Sequence, residues 1–152
     1  MVHLRNVEEF FRQPAIAVVG VSRNSRKFGN AIYRTLKAKG CTVFPVNPHT
    51  DTLEGDRCYR ALSSLPVKVN AVVLSAAPAA SEAAVHEAIA LGVRNIWFQQ
   101  GAESETAIKY CKEQGANVIA GECILMFAEP VDSIHRVHRW VWRVLGKTPA
   151  HA

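Results

Sequence analysis

The chain has 152 residues, the length of one ordinary domain, and 49% of them are hydrophobic, which is typical of a globular protein with a core. The formal net charge is +5, and no apolar stretch reaches the roughly 20 residues that a membrane helix requires. The first residues contain no apolar segment of a secretory signal, and the four cysteines include no C-x-x-C pair. We therefore expect a reduced, cytoplasmic protein with no membrane contact, no disulfide framework and no metal site.

Amphipathic segments and short apolar runs alternate along the chain. The predicted strands are Ile16–Val19, Thr42–Val46, Ala71–Ser75, Asn95–Phe98 and Asn117–Ala120, with a further short one near Arg57–Tyr59. The predicted helices are Val7–Gln13, Ala31–Lys39, Ala80–Leu91, Thr106–Gln114 and Val131–Leu145. Three of them are followed by a glycine at position 40, 92 or 115, and a glycine there supplies the left-handed residue that ends a helix.

This alternation predicts an α/β fold, because parallel strands must be joined by crossover helices. The strands are apolar nearly throughout, as expected when helices cover both faces of the sheet. We predict one doubly wound domain over residues 1–152, with a mostly parallel sheet of five or six strands. The helices at 7–13 and 131–145 lie outside the repeat and are expected to pack on the sheet. For the last helix, a dimer face or an edge of the ligand cleft are the alternatives.

Positive charge is concentrated in one part of the sequence. From Phe10 to Thr50 there is no aspartate or glutamate, and such a one-signed region attracts anions. The cations in this window are Arg12, Arg23, Arg26, Lys27, Arg34, Lys37 and Lys39. The last three fit the solvated face of a helix, whereas those at positions 23, 26 and 27 follow the first strand.

The loop after the first strand indicates the class of ligand, because open parallel sheets bind ligands beyond the carboxyl ends of their strands. A dinucleotide-binding loop has the pattern G-x-G-x-x-G, with an acidic residue at the end of the second strand. Here Gly20 begins a G-x-S loop and the second strand ends in Asn47 and Pro48, so both features count against NAD. The three cations and the hydroxyl of Ser22 suit a pyrophosphate with an additional ribose phosphate. Coenzyme A and NADP both fit this description.

The run AIAVVGVSRNSRKFGNAIYRTLKAKGCTVFPVNPH, followed by VVLSAAP, IWFQQGA and VIAGECILMF, resembles the small single-domain CoA-binding proteins. Their Rossmann-like fold is that of the CoA-binding domain of the succinyl-CoA synthetase α subunit. The resemblance extends over about 7–145 and depends on the order of the motifs G-x-S, K-x-G, V-N-P and Q-x-G.

The resemblance implies coenzyme A or an acyl-CoA as the cofactor and assigns parts of it to positions in this chain. The residues implied at the phosphates are Gly20, Val21, Ser22, Arg23, Arg26 and Lys27, with Phe28 and Gly29 at the start of the following helix. Those implied along the rest of the ligand are Val46, Asn47 and Pro48 beside the adenosine, Ala77 and Pro78 in the nucleotide cleft, Gln100 and Gly101 along the pantetheine arm, and Gly121 and Cys123 near the thiol.

The expected function is non-catalytic binding of this cofactor in the cytoplasm. No catalytic constellation stands out, and the sequence stops before the second domain that carries the phosphorylated histidine of the synthetases. We therefore expect no ligase activity from this chain alone. The alternatives are an NADP-binding oxidoreductase and the nucleotide-binding subunit of an acyl-CoA ligase completed by another chain. A homodimer or docking on an acyl-CoA enzyme remain open as partners, whereas no motif for nucleic-acid binding is present.

Overall fold

The computed structural model describes residues 2–128, so the predicted helix at 131–145 lies outside the described residues. The helices are α1 (Leu4–Phe11), α2 (Phe28–Ala38), α3 (Pro78–Ala90) and α4 (Glu105–Glu113). The strands are β1 (Ile16–Val19), β2 (Val43–Val46), β3 (Thr52–Leu53), β4 (Asp56–Arg57), β5 (Ala71–Leu74), β6 (Asn95–Phe98) and β7 (Asn117–Ala120).

Five of the strands form one parallel sheet in the order β2-β1-β5-β6-β7. In this register Ile16 lies between Val43 and Ala71, and Val19 lies between Val46 and Leu74. The chain crosses from β1 to β2 on one side and then returns to β5 on the other side of β1. The carboxyl ends of β1 and β5 therefore meet at a topological switch point, where open α/β sheets bind ligands. The predicted Rossmann-like fold is confirmed.

Helices cover both faces of the sheet and bury two apolar clusters. On the face of α1 and α2, the indole of Trp97 meets the ring of Phe10 edge to face, with 5.4 Å between the ring centroids. On the face of α3 and α4, alternate residues of β5 and β6, among them Leu74 and Phe98, pack against Val85. No helix within residues 2–128 is both long and apolar enough to cross a membrane.

The short strand predicted near 57–59 belongs to a different element. Asp56 and Arg57 pair antiparallel with Thr52 and Leu53 in a two-stranded hairpin, separate from the main sheet. Tyr59 adds one parallel bridge to Val46 at the edge of the main sheet. The prediction of six parallel strands is therefore wrong for the described residues, and that of five is right. The turn of the hairpin lies close to the start of α2.

Helix α1 begins three residues earlier than predicted and ends at Phe11 instead of Gln13. Gln13 precedes Pro14, and a residue before proline is disfavoured in the helical conformation, so the helix ends ahead of it. At the other helices the predicted ends agree more closely with the observed ones. Gly40 and Gly92, which follow α2 and α3, both have a φ of 89°, the left-handed conformation that the sequence predicts there.

Candidate functional site

The backbone is tightly packed where β1 ends. The amide of Ser75 donates to the carbonyl oxygen of Val19 over 2.8 Å, which extends the contact between β1 and β5 by one residue. Gly20 follows with a φ of 106°, and a Cβ atom built on it would lie 2.3 Å from the carbonyl oxygen of Ser75. Only glycine fits at this point, because the chain turns sharply at the switch point and packs directly against the backbone of Ser75, while Gly20 itself is half-exposed.

The start of α2 packs against the same turn. A Cβ atom built on Gly29 would lie 2.4 Å from the carbonyl oxygen of Gly20. The first turn of the helix is therefore held directly over the end of β1. The amides at the start of a helix are an anion-binding group, and this packing brings them to the switch point.

Side chains shape the loop between Gly20 and Gly29. The amide of Asn24 donates to Oγ of Ser22 over 3.1 Å, and the amide of Arg26 donates to Oδ1 of Asn24 over 3.1 Å. The amide of Lys27 donates to the carbonyl oxygen of Asn24 over 3.0 Å. The loop is thus a series of short local turns, and the Ser22 hydroxyl keeps its own hydrogen for a further acceptor.

The cations of the acid-free window fall into two groups in the structure. On α2, Arg34 lies 2.7 Å from the carboxylate of Glu54, and Lys37 forms an ion pair with Asp56. On the loop, the exposed side chains of Arg23, Arg26 and Lys27 form no ion pair with any carboxylate of residues 2–128. Arg34 and Lys37 are exposed on α2, as predicted for a solvated helix face, and the hairpin also supplies each with an acidic partner from beyond the window.

The hairpin is anchored to α2 through Asp56. Its carboxylate accepts hydrogen bonds from Lys37 and from the hydroxyl of Tyr33. These contacts lower the pKa of Asp56, Lys37 contributing most, and burial together with Asp56 raises the pKa of Tyr33. Between the hairpin and the loop lies a groove of about 540 Å³, lined by Ser22, Arg23, Ser25, Asn30, Thr52, Leu53, Glu54 and Gly55.

The structure joins the end of β2 to the first loop. The side-chain amide of Asn47 donates to the carbonyl oxygen of Val21 over 2.7 Å, and Oδ1 of Asn47 accepts from the amide of His49 over 2.7 Å. Val46 is buried and Pro48 is exposed. The predicted adenosine residues 46–48 and the predicted phosphate residue Val21 therefore lie side by side.

The residues predicted at the nucleotide cleft lie where α3 begins. Pro78 is the first residue of α3 and Ala77 precedes it, and both are exposed. Proline is favoured in the first turn of a helix, where its missing N–H is not required. The hydroxyl of Ser81 donates to the carbonyl oxygen of Ala76 over 3.3 Å and so ties this turn together.

The ends of β6 and β7 form a second group at the same edge of the sheet. The side-chain amide of Gln100 donates to the carbonyl oxygen of Gly121 over 3.4 Å, which brings together a residue predicted along the pantetheine arm and one predicted near the thiol. Gly101 is exposed, and Cys123 is half-buried at the start of a short 3₁₀ turn. No hydrogen bond within residues 2–128 joins this group to the first loop. Strands β6 and β7 lie two and three positions from β1, about 10 and 14 Å at the usual spacing of strands.

Two residues that the sequence analysis did not select support these groups. Gln99 is buried, and its Oε1 accepts from the amide of Ile124 over 3.0 Å, which links the ends of β6 and β7. Asn30 is buried on α2 and bonds to the backbone of Ser22. In each case the sequence offers one signal, which is a polar residue among the apolar residues of a predicted buried face or strand.

The comparison with known proteins identifies the family. The family model described as CoA binding domain matches residues 14–129 of the chain. This chain belongs to the CoA binding domain family. The match spans β1 to the end of the described residues and therefore includes all of the loops described above.

The known proteins that this chain resembles differ in length. A conserved hypothetical protein from Pyrococcus furiosus is 40% identical, with a TM-score of 0.69, and the match covers 73% of this chain and 96% of that one. The uncharacterized protein YneT from Bacillus subtilis is 26% identical over 113 residues, which are 74% of this chain and 84% of YneT. The α subunit of acetate–CoA ligase [ADP-forming] II from Pyrococcus furiosus is 29% identical over 69 residues, which are 45% of this chain and only 15% of that subunit.

Proposed function

We propose that this protein binds coenzyme A or an acyl-CoA at the carboxyl edge of its sheet and does so as a cytoplasmic, non-catalytic binding protein. The observation that carries the proposal is the arrangement of three exposed cations, Arg23, Arg26 and Lys27, on the loop that follows the half-exposed turn at Gly20. Arg34 and Lys37 of the adjacent helix pair with carboxylates, whereas the loop cations have no carboxylate partner within residues 2–128. The family to which the chain belongs supports coenzyme A as that anion.

The diphosphate would lie over Gly20, Val21 and Gly29, where backbone amides and the start of α2 face the switch point. The ribose phosphate would pair with the three loop cations, since contacts between phosphate and arginine are charge-assisted and can be bidentate. The hydroxyl of Ser22 would donate to a phosphate oxygen, and Phe28, with 47% of its surface exposed, would cover the ligand from the start of α2.

The remaining parts of the cofactor would follow the edge of the sheet. The adenosine would lie beside Val46, Asn47 and Pro48, with Ala77 and Pro78 on the other side of the cleft. The pantetheine arm would extend along Gln100 and Gly101, with its thiol or acyl group near Gly121 and Cys123. The separation of about 10 to 14 Å between β1 and the last two strands suits an extended arm.

A thermal-shift series tests the proposal, because a ligand that binds only the folded state raises the melting temperature by mass action. Coenzyme A is expected to stabilise the protein more than dephospho-coenzyme A, and both more than NAD. Equal shifts with coenzyme A and dephospho-coenzyme A would contradict the role of the loop cations in binding the ribose phosphate. A larger shift with NADP than with coenzyme A would favour an NADP-binding oxidoreductase instead.

A second candidate function is the nucleotide-binding subunit of an acyl-CoA ligase. The match to the α subunit of the Pyrococcus furiosus ligase favours it. In that case the protein would act on coenzyme A only together with a second chain. Formation of ATP from acetyl-CoA, ADP and phosphate by the purified protein plus its associated chain, and not by either alone, would support this function.

A further inference from the structure

The side chain of Asn30 is buried beneath the first loop, with only 1% of its surface exposed. Its Oδ1 accepts from the amide of Ser22 over 2.7 Å, and its Nδ2 donates to the carbonyl oxygen of Ser22 over 2.7 Å. One carboxamide thus satisfies both backbone groups of the serine in the G-x-S motif. The orientation of this peptide segment is therefore fixed by a side chain from α2.

The hairpin holds the same loop through a carboxylate. Oε1 of Glu54 accepts from Nδ2 of Asn30 over 3.1 Å and from Nη1 of Arg34 over 2.7 Å. The same Nη1 donates to the carbonyl oxygen of Ser25 over 3.0 Å. A single carboxylate oxygen is therefore connected to the loop at Ser22 through one side chain and at Ser25 through another.

The backbone at Glu54 is unusual. Its φ is 52°, and no other non-glycine residue among residues 2–128 has a left-handed conformation. The first position of such a tight hairpin turn favours asparagine, aspartate or glycine, so glutamate is a strained choice there. What glutamate adds is a side chain long enough to reach both Asn30 and Arg34. Strain of this kind persists where contacts with the surrounding structure hold the residue in its conformation.

We propose that Asn30, Arg34 and Glu54 form a brace, the loop brace, that keeps the loop between Ser22 and Ser25 in its phosphate-binding shape before the ligand arrives. The inference depends on the proposed function, and its three members are positioning residues that act through the loop backbone. A loop that is already ordered loses less conformational freedom on binding, so its ligand binds more tightly. The pairing with Arg34 also neutralises Glu54, so the brace places no unpaired carboxylate beside the phosphates.

Substitution of Arg34 tests the brace without risk to the core, because this side chain is exposed. Lys37 provides a matched control, since it lies one turn further on the same helix and also pairs with a carboxylate of the hairpin, but makes no contact with the loop. Arg34→Gln and Lys37→Gln remove the same charge. Arg34→Gln is expected to weaken binding of coenzyme A at least about fivefold more than Lys37→Gln does. Equal affinities of the two variants would overturn the proposal.

Substitution of Asn30 tests the buried part of the brace. Asn95 is a matched control, because it is 2% exposed and its carboxamide bonds to Asn70 and Asn117 at the opposite, amino end of the strands. Asn30→Ala and Asn95→Ala are both expected to lower the melting temperature. At a temperature where both variants are folded, only Asn30→Ala is expected to weaken binding of coenzyme A. A loss of affinity in both variants, or in neither, would contradict the brace.

Hydrogen exchange of the free protein separates this inference from the proposed function. In Asn30→Ala the exchange of the amides between Ser22 and Ser25 is expected to accelerate, relative to the parent protein, at least about tenfold more than that of the amides of α3 and α4. This measurement involves no ligand. If the parent protein does not bind coenzyme A, the proposed function fails, whereas unchanged exchange in the loop refutes the brace itself.

Discussion

The Cα atom of Gly29 lies against the carbonyl group of Gly20, so close that a Cβ atom at Gly29 would be 2.4 Å from the oxygen. This contact joins the start of α2 to the end of β1. It determines how near the helix amides come to the switch point, and the candidate site depends on it.

The contact predicts an unusual response to alanine at position 29. In the interior of a helix, alanine is favoured over glycine by about 1 kcal/mol. Gly29→Ala is nevertheless expected to destabilise the protein by about 1–3 kcal/mol, because the new methyl group would overlap backbone atoms. Urea denaturation would measure the change in the free energy of unfolding. The same variant is expected to lose most of its affinity for coenzyme A, since α2 must shift away from β1.

Gly115→Ala is the control for this variant. A Cβ atom there meets no atom within 4 Å, and only its φ of 75° opposes the substitution. We expect a loss of roughly 1–2 kcal/mol from the left-handed backbone alone, with no change in the affinity for coenzyme A. If Gly29→Ala were as stable as the parent protein and bound the cofactor equally well, the tight turn would have no functional role.

From the exposed position of the loop cations we predict that their removal weakens binding of coenzyme A without affecting the fold. Arg26→Ala with Lys27→Ala is expected to weaken binding of coenzyme A by about tenfold or more, since hydrogen bonds to charged groups contribute roughly 1.5–3 kcal/mol each. The fold should remain intact, because both side chains are exposed. Calorimetric titration at two salt concentrations would measure the affinity and its salt dependence, which should be steeper for the parent protein than for the double variant.

A double variant on α4 controls for net charge. Lys109→Ala with Lys112→Ala also removes two exposed positive charges, but it does so on a helix that covers the other face of the sheet. It is expected to leave the affinity nearly unchanged. Equal weakening by the two double variants would show that the overall charge, and not the loop, attracts the cofactor.

From the contacts of Asp56 we predict a contribution to stability that depends on pH. Hydrogen bonds from Lys37 and Tyr33 lower its pKa from the usual value of 3.8, so the ionised form favours the folded state. This contribution is fully present above the unfolded pKa and is lost as the pH falls through the lower, folded pKa. The melting temperature of Asp56→Asn is therefore expected to lie below that of the parent protein at pH 7, and the difference should shrink as the pH falls below 3.8. A difference that stayed constant over this range would exclude the ionised contact.

The regular parts of this fold could be predicted from local patterns. The strands Ile16–Val19, Asn95–Phe98 and Asn117–Ala120 have the predicted bounds, because a short, mostly apolar run bounded by polar residues or glycine is a sufficient signal for a buried parallel strand. The amphipathic pattern alone marks α2 only from Ala31, three residues after its start at Phe28, and it is the resemblance that implies the start at Phe28 and Gly29. The residue before it, Lys27, makes no side-chain capping bond, so the usual signal for a helix start is missing.

The candidate site was predictable as a set of strand ends, because the fold class alone places these at one edge of the sheet. The contacts that shape it were not. Asn30 and Glu54 are 24 residues apart and meet only because a hairpin, too short and polar to be predicted, folds back beside α2. For the same reason the sequence could not show that Arg34 has a carboxylate partner and that the loop cations have none within residues 2–128.

Isothermal titration of the parent protein with coenzyme A tests the central claim most directly, with NAD and NADP titrated in parallel under the same conditions. We predict saturable heat with coenzyme A, weaker binding of NADP and none detectable for NAD, because the proposed site places the loop cations and the turn at Gly20 around a diphosphate with an additional ribose phosphate. Absence of heat with coenzyme A, together with clean saturation by a nicotinamide nucleotide, would contradict the account.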